Sequence, residues 1–245
     1  MDGWREKDSR AAAIFGRCFE KALAALLSKE DSAAVLFKEW GNYRESNLEF
    51  GNGDDWERML RQGVMLLERF AQEDRVRICQ PKRDLQVKLV RPLPNGGDFV
   101  AYIDGMGELD GKKCLLEWKT TRARYPEEPE GLVALDPQMI CYSWMSGISD
   151  VVMIVFVRKR VPEIQYLRAS ITDAQRQEFA EIVESTAGQI EASQFLPRSG
   201  IRFPQNGCVS CAHLGLCLNN KQLIDTNLIR QPGASDLDWL DELSE

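Results

Sequence analysis

Apolar side chains recur at three- and four-residue spacing between about Arg10 and Lys29: Ile14, Phe15, Cys18, Phe19, Ala22, Leu23, Leu26 and Leu27. That stripe predicts an amphipathic helix. A second helix runs through Trp40, with Asp31 or Ser32 as its cap. Gly51-Asn52-Gly53 marks a break. Asp54 or Asp55 then starts a helix to about Gln72, with Met59, Val64, Leu66, Leu67 and Phe70 on its apolar side. The first third of the chain therefore reads as helical.

The period then changes. Leu85 to Val90 alternates apolar and polar, as a half-buried strand does. A Pro- and Gly-rich turn follows from Pro92 to Gly97. Phe99–Met106 and Lys113–Lys119 are predicted strands, joined around Leu109-Asp110-Gly111-Lys112, a hairpin signal. Tyr125 to Gly131, with Pro126 and Pro129, is a loop. Pro137 to Met145 suits a helix capped by Asp136. Val151–Val157 and Ile164–Ala169 are strands, and a helix capped by Thr172 or Asp173 runs to about Ala192. A cysteine-bearing loop, a short helix and an acidic tail complete the chain. Helices, hairpin strands, helix, strands, helix: this order predicts an α/β fold with a mixed sheet.

Composition narrows the class. The 245 residues are 44% hydrophobic and 28% charged, ordinary for a globular protein large enough to bury a core. The longest apolar run, Val151–Val157, falls far short of the roughly 20 residues that span a bilayer, so no membrane association is expected. The charged start, Met1 to Asp8, has no apolar segment behind it. No signal peptide is read there, and a cytoplasmic protein is expected. Net charge is −7, which does not by itself advertise nucleic-acid binding. The charge is unevenly placed, however. The tail from Asp236 to Glu245 carries five acids and no base, while Arg75 to Arg91 carries six bases against Asp84 alone. That basic run is either a solvated face or a track for a phosphate backbone.

Candidate chemistry centres on Tyr102-Ile103-Asp104-Gly105 and Leu115-Leu116-Glu117-Trp118-Lys119-Thr120. Asp104 falls at the end of one predicted hairpin strand. Glu117 and Lys119 lie two apart on the next and so share a face. Two carboxylates and an ammonium beside Leu115, Leu116 and Trp118 are costly to bury unless they pair or bind a cation. Carboxylate oxygens are the hard ligands that Mg²⁺ prefers, and a neighbouring lysine can orient a water. The bland alternative is a surface strand with an incidental ion pair. Two further features stand beside it. Glu20 follows Gly16 in an otherwise apolar helix, and Gln138 and Tyr142 are placed i and i+4 on another.

In this order and with these gaps, the set resembles the PD-(D/E)XK nuclease superfamily, in its RecB-like exonuclease branch of the AddB nuclease-domain type. The resemblance covers roughly Gly16 to Cys217. It implies a restriction-endonuclease-like core: a mixed central sheet flanked by helices, with a helical N-terminal third and a cysteine-bearing C-terminal loop. It implies one nuclease domain over 1–235, with a helical part at 1–75, a catalytic core at 76–195 and the cysteine loop and helix at 196–230, before the tail at 236–245. Asp104 and Glu117 match the family's metal ligands, Lys119 its catalytic lysine, and Gln138 and Tyr142 its Gln-x-x-x-Tyr helix. Glu20 stands where the family usually carries a histidine, and can still ligate a metal. Mg²⁺ or Mn²⁺ is the implied cofactor and DNA the implied partner. Arg75, Arg77, Lys82, Arg83, Arg122 and Arg124 would then track the strand.

Seven cysteines without a signal peptide argue against a disulfide framework. Cys208-x₂-Cys211-x₅-Cys217 could grip one metal ion or cluster, and is similar to the iron–sulfur staple of the same branch. A 4Fe–4S cluster, or Zn²⁺, is therefore a candidate cofactor. A fourth ligand would come from Cys18, Cys79 or His213. The functional expectation is a metal-dependent deoxyribonuclease, an exonuclease of recombination, repair or phage type. A second reading is a catalytically idle nucleic-acid-binding or assembly module, with the tail helix around Leu237, Leu240 and Leu243 docking a protein partner. A third is a metal-binding regulator built on the cysteine loop.

Overall fold

The computed structural model describes residues 3–7, 10–51, 53–194 and 211–230. A short strand, β1 (Trp4–Glu6), comes first, followed by helices α1 (Ala11–Leu27), α2 (Ser32–Gly41) and α3 (Trp56–Glu73). The caps are those the sequence offers. Asp31 accepts from Ala34 N (3.0 Å) and Asp55 from Arg58 N (2.7 Å), each occupying an amide that the helix start leaves open. Then come β2 (Val76–Arg77), a single turn α4 (Pro81–Asp84), β3 (Leu85–Pro92), β4 (Asp98–Leu109) and β5 (Lys112–Thr121). The turn between β4 and β5 has positive φ at both Asp110 and Gly111, as a tight hairpin requires. A 3₁₀ turn at Leu132–Leu135 leads to α5 (Pro137–Ser146), and β6 (Asp150–Val157), β7 (Glu163–Ser170) and α6 (Asp173–Glu191) follow. Asp136 caps α5, and a Thr172–Gln175 capping box starts α6. The short elements α7 (Leu214–Cys217), α8 (Lys221–Asn227) and β8 (Leu228–Arg230) lie near the end.

Residues 10–194 form one compact unit. Its six-stranded sheet has the order β2-β4-β5-β6-β7, with β3 also paired to β4. All pairings are antiparallel except β5 with β6, which run parallel from Leu115↔Val151 to Thr121↔Val157. A parallel neighbour needs a crossover, and the segment containing α5 supplies it. Helices α1 to α3 bury their stripes on one face, where Phe15, Phe19, Leu66 and Phe70 meet Leu116, Trp118, Ile154 and Phe156. The other face, with Ile103, Leu115, Val151, Met153 and Val155, packs on Met139 and Tyr142 of α5. This is a mixed α/β fold with a curled mixed sheet flanked by helices, consistent with a restriction-endonuclease-like core.

The remaining described residues belong to a second unit. Here β1 and β8 pair antiparallel, Trp4 opposite Arg230, and the Arg230 guanidinium lies 5.8 Å from the centre of the Trp4 ring. Lys7 adds bonds from its N to Asn227 O (2.9 Å) and from Nζ to Asp225 O (2.6 Å). Helices α7 and α8 approach so closely at Gly215 that a Cβ there would sit 2.7 Å from Ile224 N. Cys208 and the acidic tail lie outside the described residues. Among the described residues, no helix is long and apolar enough to cross a membrane.

Candidate active site

β4 has three neighbours. Residues 98–105 pair with β3, residues 105–109 with β5, and Glu108 and Leu109 also with β2. The β4–β5 ladder stops at Gly105↔Leu116. Gly105 permits the close crossing there, since a Cβ would lie 2.9 Å from the Trp118 ring. Beyond that point the Trp118 N–H donates to Asp104 Oδ2 (3.0 Å) instead of to a strand carbonyl. Asp104 is therefore inside a long strand, next to the residue where its pairing with β5 stops, and not at a strand end as its sequence context suggests. The side chain replaces a ladder bond, which satisfies a buried amide and fixes the carboxylate.

Glu117 and Lys119 follow on β5, where the next residues are no longer paired to β4. Glu117 is 2% exposed. Its Oε1 accepts from Lys119 Nζ, while Oε2 is buried with no hydrogen-bond partner. Lys119 Nζ also donates to Gln138 Oε1 (3.0 Å), and Gln138 Nε2 donates to the Tyr142 hydroxyl (2.6 Å). Gln138 and Tyr142 thus form a relay from α5 that holds the lysine. Glu20 enters from α1, whose Gly16 lies beside β5 near Thr120.

Gln86, which the sequence reading passed over, joins two of these groups. Its Nε2 donates to Glu20 Oε1 and lies 3.4 Å from Asp104 Oδ1. It sits in β3 with φ at 50°, a left-handed conformation that costs a non-glycine residue about 1 kcal/mol or more. In sequence it looks like an ordinary polar position of an alternating strand. Only its placement opposite Asp104, invisible without the β3–β4 register, could have marked it.

The electrostatics follow from crowding. Burial first, and then the Glu20 charge, pushes Asp104 up to about 6. Burial and Asp104 raise Glu117 to about 8. Glu20 is raised by burial and by Glu117. Tyr142 is pushed far above its ordinary range, chiefly by burial. Burial works against the Lys119 charge, but Glu117 outweighs it and the ammonium is raised.

Among the described residues no three His, Cys, Asp or Glu side chains form a ready-made metal cage. The donor set nevertheless fits a hard divalent ion. Mg²⁺ is commonly held by one or two carboxylates, with waters and substrate phosphate completing its shell. Asp104 and Glu117 supply the carboxylates, and the unpartnered Glu117 Oε2 is the kind of buried atom that calls for an occupant.

No family model and no curated protein matches the chain. Several solved structures resemble it, two of them as follows. One is a Eubacterium rectale protein provisionally named an exonuclease, 13% identical, covering 95% of this chain and 80% of that one at a TM-score of 0.49. The other, SSO0001, is 13% identical and covers 81% of this chain and 84% of that one at a TM-score of 0.37. At such distances the chemistry has to be argued from the side chains themselves.

The other sequence candidates fare differently. Arg75 is bound to Asp110 through both Nε (3.0 Å) and NH2 (2.7 Å), and lies over Tyr166. Arg83 pairs with Asp84 (2.8 Å), Arg122 with Asp54 (3.7 Å), and Arg124 with Glu127 and Glu163 (2.7 and 3.2 Å). Arg77 and Lys82 are exposed. Within the basic run, Arg75 is thus neutralised by a carboxylate distant in sequence and Arg83 by its own neighbour, while Arg91 lies on Trp144. Cys211 and Cys217 are exposed free thiols, as is Cys79. Cys18 is packed in the core with Ile14 and Leu23, and burial raises its thiol to about 11.

Proposed function

We propose that this chain is a divalent-metal-dependent nuclease that hydrolyses DNA phosphodiester bonds, acting as an exonuclease of recombination, repair or phage type. The observation that carries the reading is the convergence of Asp104, Glu117, Glu20 and Lys119 where the β4–β5 ladder ends, with one Glu117 oxygen buried and unpartnered. Asp104 and Glu117 would hold Mg²⁺ or Mn²⁺, with Glu20 at the margin. When bound, the ion would supply Lewis-acid stabilisation of charge on the phosphate and a more acidic water.

The chain's own groups do the rest. The Trp118 amide and Gln86 fix the two Asp104 oxygens. Lys119, kept an ammonium by Glu117, donates to the attacking water or to a phosphate oxygen; it is not a base in this state. Gln138 and Tyr142 hold its direction. Such fixed donors act without reorganisation at the moment of reaction.

The test uses end-labelled linear DNA and closed circular DNA with Mg²⁺, Mn²⁺ or EDTA. Degradation of the linear form alone, dependent on metal and abolished in Lys119→Ala, is the expected result. Intact protein that leaves DNA and RNA whole with either metal would replace this reading with the idle binding module.

A further inference from the structure

Beyond Lys119, β5 ends at Thr121, whose carbonyl accepts from Arg158 N (2.7 Å) just after β6. The side chains of Arg158 and Asp54 are buried together, 3.2 Å apart, and Arg158 Nε has no partner. From here a cleft of about 360 Å³ opens between the first turns of α3 and the loop joining β6 to β7, lined by Asp55, Arg58, Arg61, Gln62, Met65, Lys159 and Arg160. Four of those seven are cations. Arg58 is held to Gly53 O (2.6 Å) and Lys159 to Glu163 (3.2 Å). Arg61 and Arg160 are exposed and meet no carboxylate among the described residues. Asp55, the one acid in the wall, already uses Oδ1 to cap α3.

Gln62 makes this more than a patch of surface charge. It is 6% exposed. Its Nε2 donates to Lys159 O (3.1 Å), fixing the amide's orientation, while Oε1 is buried with no donor. An inorganic anion would satisfy the arginines and leave Oε1 unpaired. A nucleotide offers both a phosphate and an N–H or hydroxyl donor.

We infer that this cleft is a second subsite for a nucleic-acid strand, holding a phosphate on Arg61 and Arg160 and the adjoining base or sugar on Gln62. The inference rests on the nuclease reading for its substrate class and extends it along the strand. Arg122, three residues past Lys119 and so about 10 Å or less from it along the chain, pairs with Asp54 (3.7 Å), the neighbour of Asp55 in the cleft wall, which links the cleft to the strand carrying the candidate active site. Arginine's fork suits phosphate oxygens bidentately.

Fluorescence anisotropy of a labelled oligothymidylate in EDTA reads this without cleavage. Arg61→Ala/Arg160→Ala should weaken binding about tenfold and lower the slope of log K against log salt by about 0.7, one phosphate neutralised on a single strand. Its thermal midpoint should stay that of the parent. Lys38→Ala/Lys113→Ala, which removes equal charge elsewhere, should change affinity by less than about twofold. Inorganic polyphosphate should bind more weakly than the oligonucleotide. Unchanged affinity in the arginine variant overturns the inference, as does an equal loss in the lysine control. Polyphosphate binding as tightly as the oligonucleotide overturns the role given to Gln62. The two readings fail separately: parent protein that binds through Arg61 and Arg160 but never cleaves sinks the nuclease, whereas a cleaving protein indifferent to both arginines sinks the subsite.

Discussion

β5 and β6 lie side by side in parallel register, yet their interiors differ in kind. β6 is buried from Val151 to Val157 with apolar side chains on both faces and ladders on both edges. β5 is equally buried over Cys114–Trp118, but it carries Glu117 into that interior and loses its β4 partner just before it. One strand has every group satisfied by neighbours of its own chain. The other has a carboxylate oxygen with none. Burial stabilises when it is apolar or paired, and on the proposed reading the unpaired oxygen is where stability is given up for chemistry.

Four expected outcomes bear on that contrast. The largest is Lys119→Ala, which should lower the single-turnover cleavage rate on the order of a thousandfold, a loss far beyond the stability it costs by leaving Glu117 unpaired. Next is Phe156→Ala on β6. That ring is fully buried and lies 4.8 Å from Phe19 and 5.4 Å from Phe70, centre to centre. Its loss should cost about 3–5 kcal/mol of stability by urea unfolding, with little change in rate per folded molecule. Were both variants to lose activity and stability in step, the two strands would not differ in role.

A third, smaller effect is in pH. Asp104 and Glu117 are raised to about 6 and about 8 in the folded protein, above their unfolded values, so the folded state binds more protons across that range. The sign is therefore negative: in EDTA, the thermal midpoint should fall as pH rises from about 4 to 8. Glu117→Gln should flatten the fall, and Mg²⁺ should offset it by favouring the ionised carboxylates. A midpoint in EDTA that rises over the same interval would contradict the crowding. The smallest effect is Gln86→Gly. The fold should be kept or slightly gained, because glycine accepts φ at 50° without strain. The Mg²⁺ needed for half-maximal cleavage should rise several-fold, since nothing then ties Glu20 to Asp104.

Much of this architecture could be read from local pattern. The helix stripes, the Asp31, Asp55, Asp136 and Thr172 caps and the Asp110-Gly111 hairpin all act within a few residues, and the elements stand where those signals put them. The candidate site was legible as a spacing, because Glu117 and Lys119 share a strand face in any register. Its remainder depended on partners distant in sequence. Arg75 looked like part of a free basic run, but its Asp110 is 35 residues on. Gln86 acquires meaning only across the β3–β4 ladder. The Arg61, Gln62 and Arg160 cleft joins a helix to a loop nearly a hundred residues later, and no window of sequence contains both.

The β1–β8 pairing carries a consequence for biosynthesis. Trp4 and Arg230 are register partners, so β1 leaves the ribosome long before the strand it pairs with. The helices and sheet of residues 10–194 need no such delay. Assembly is therefore vectorial, with the larger unit complete before the smaller can close.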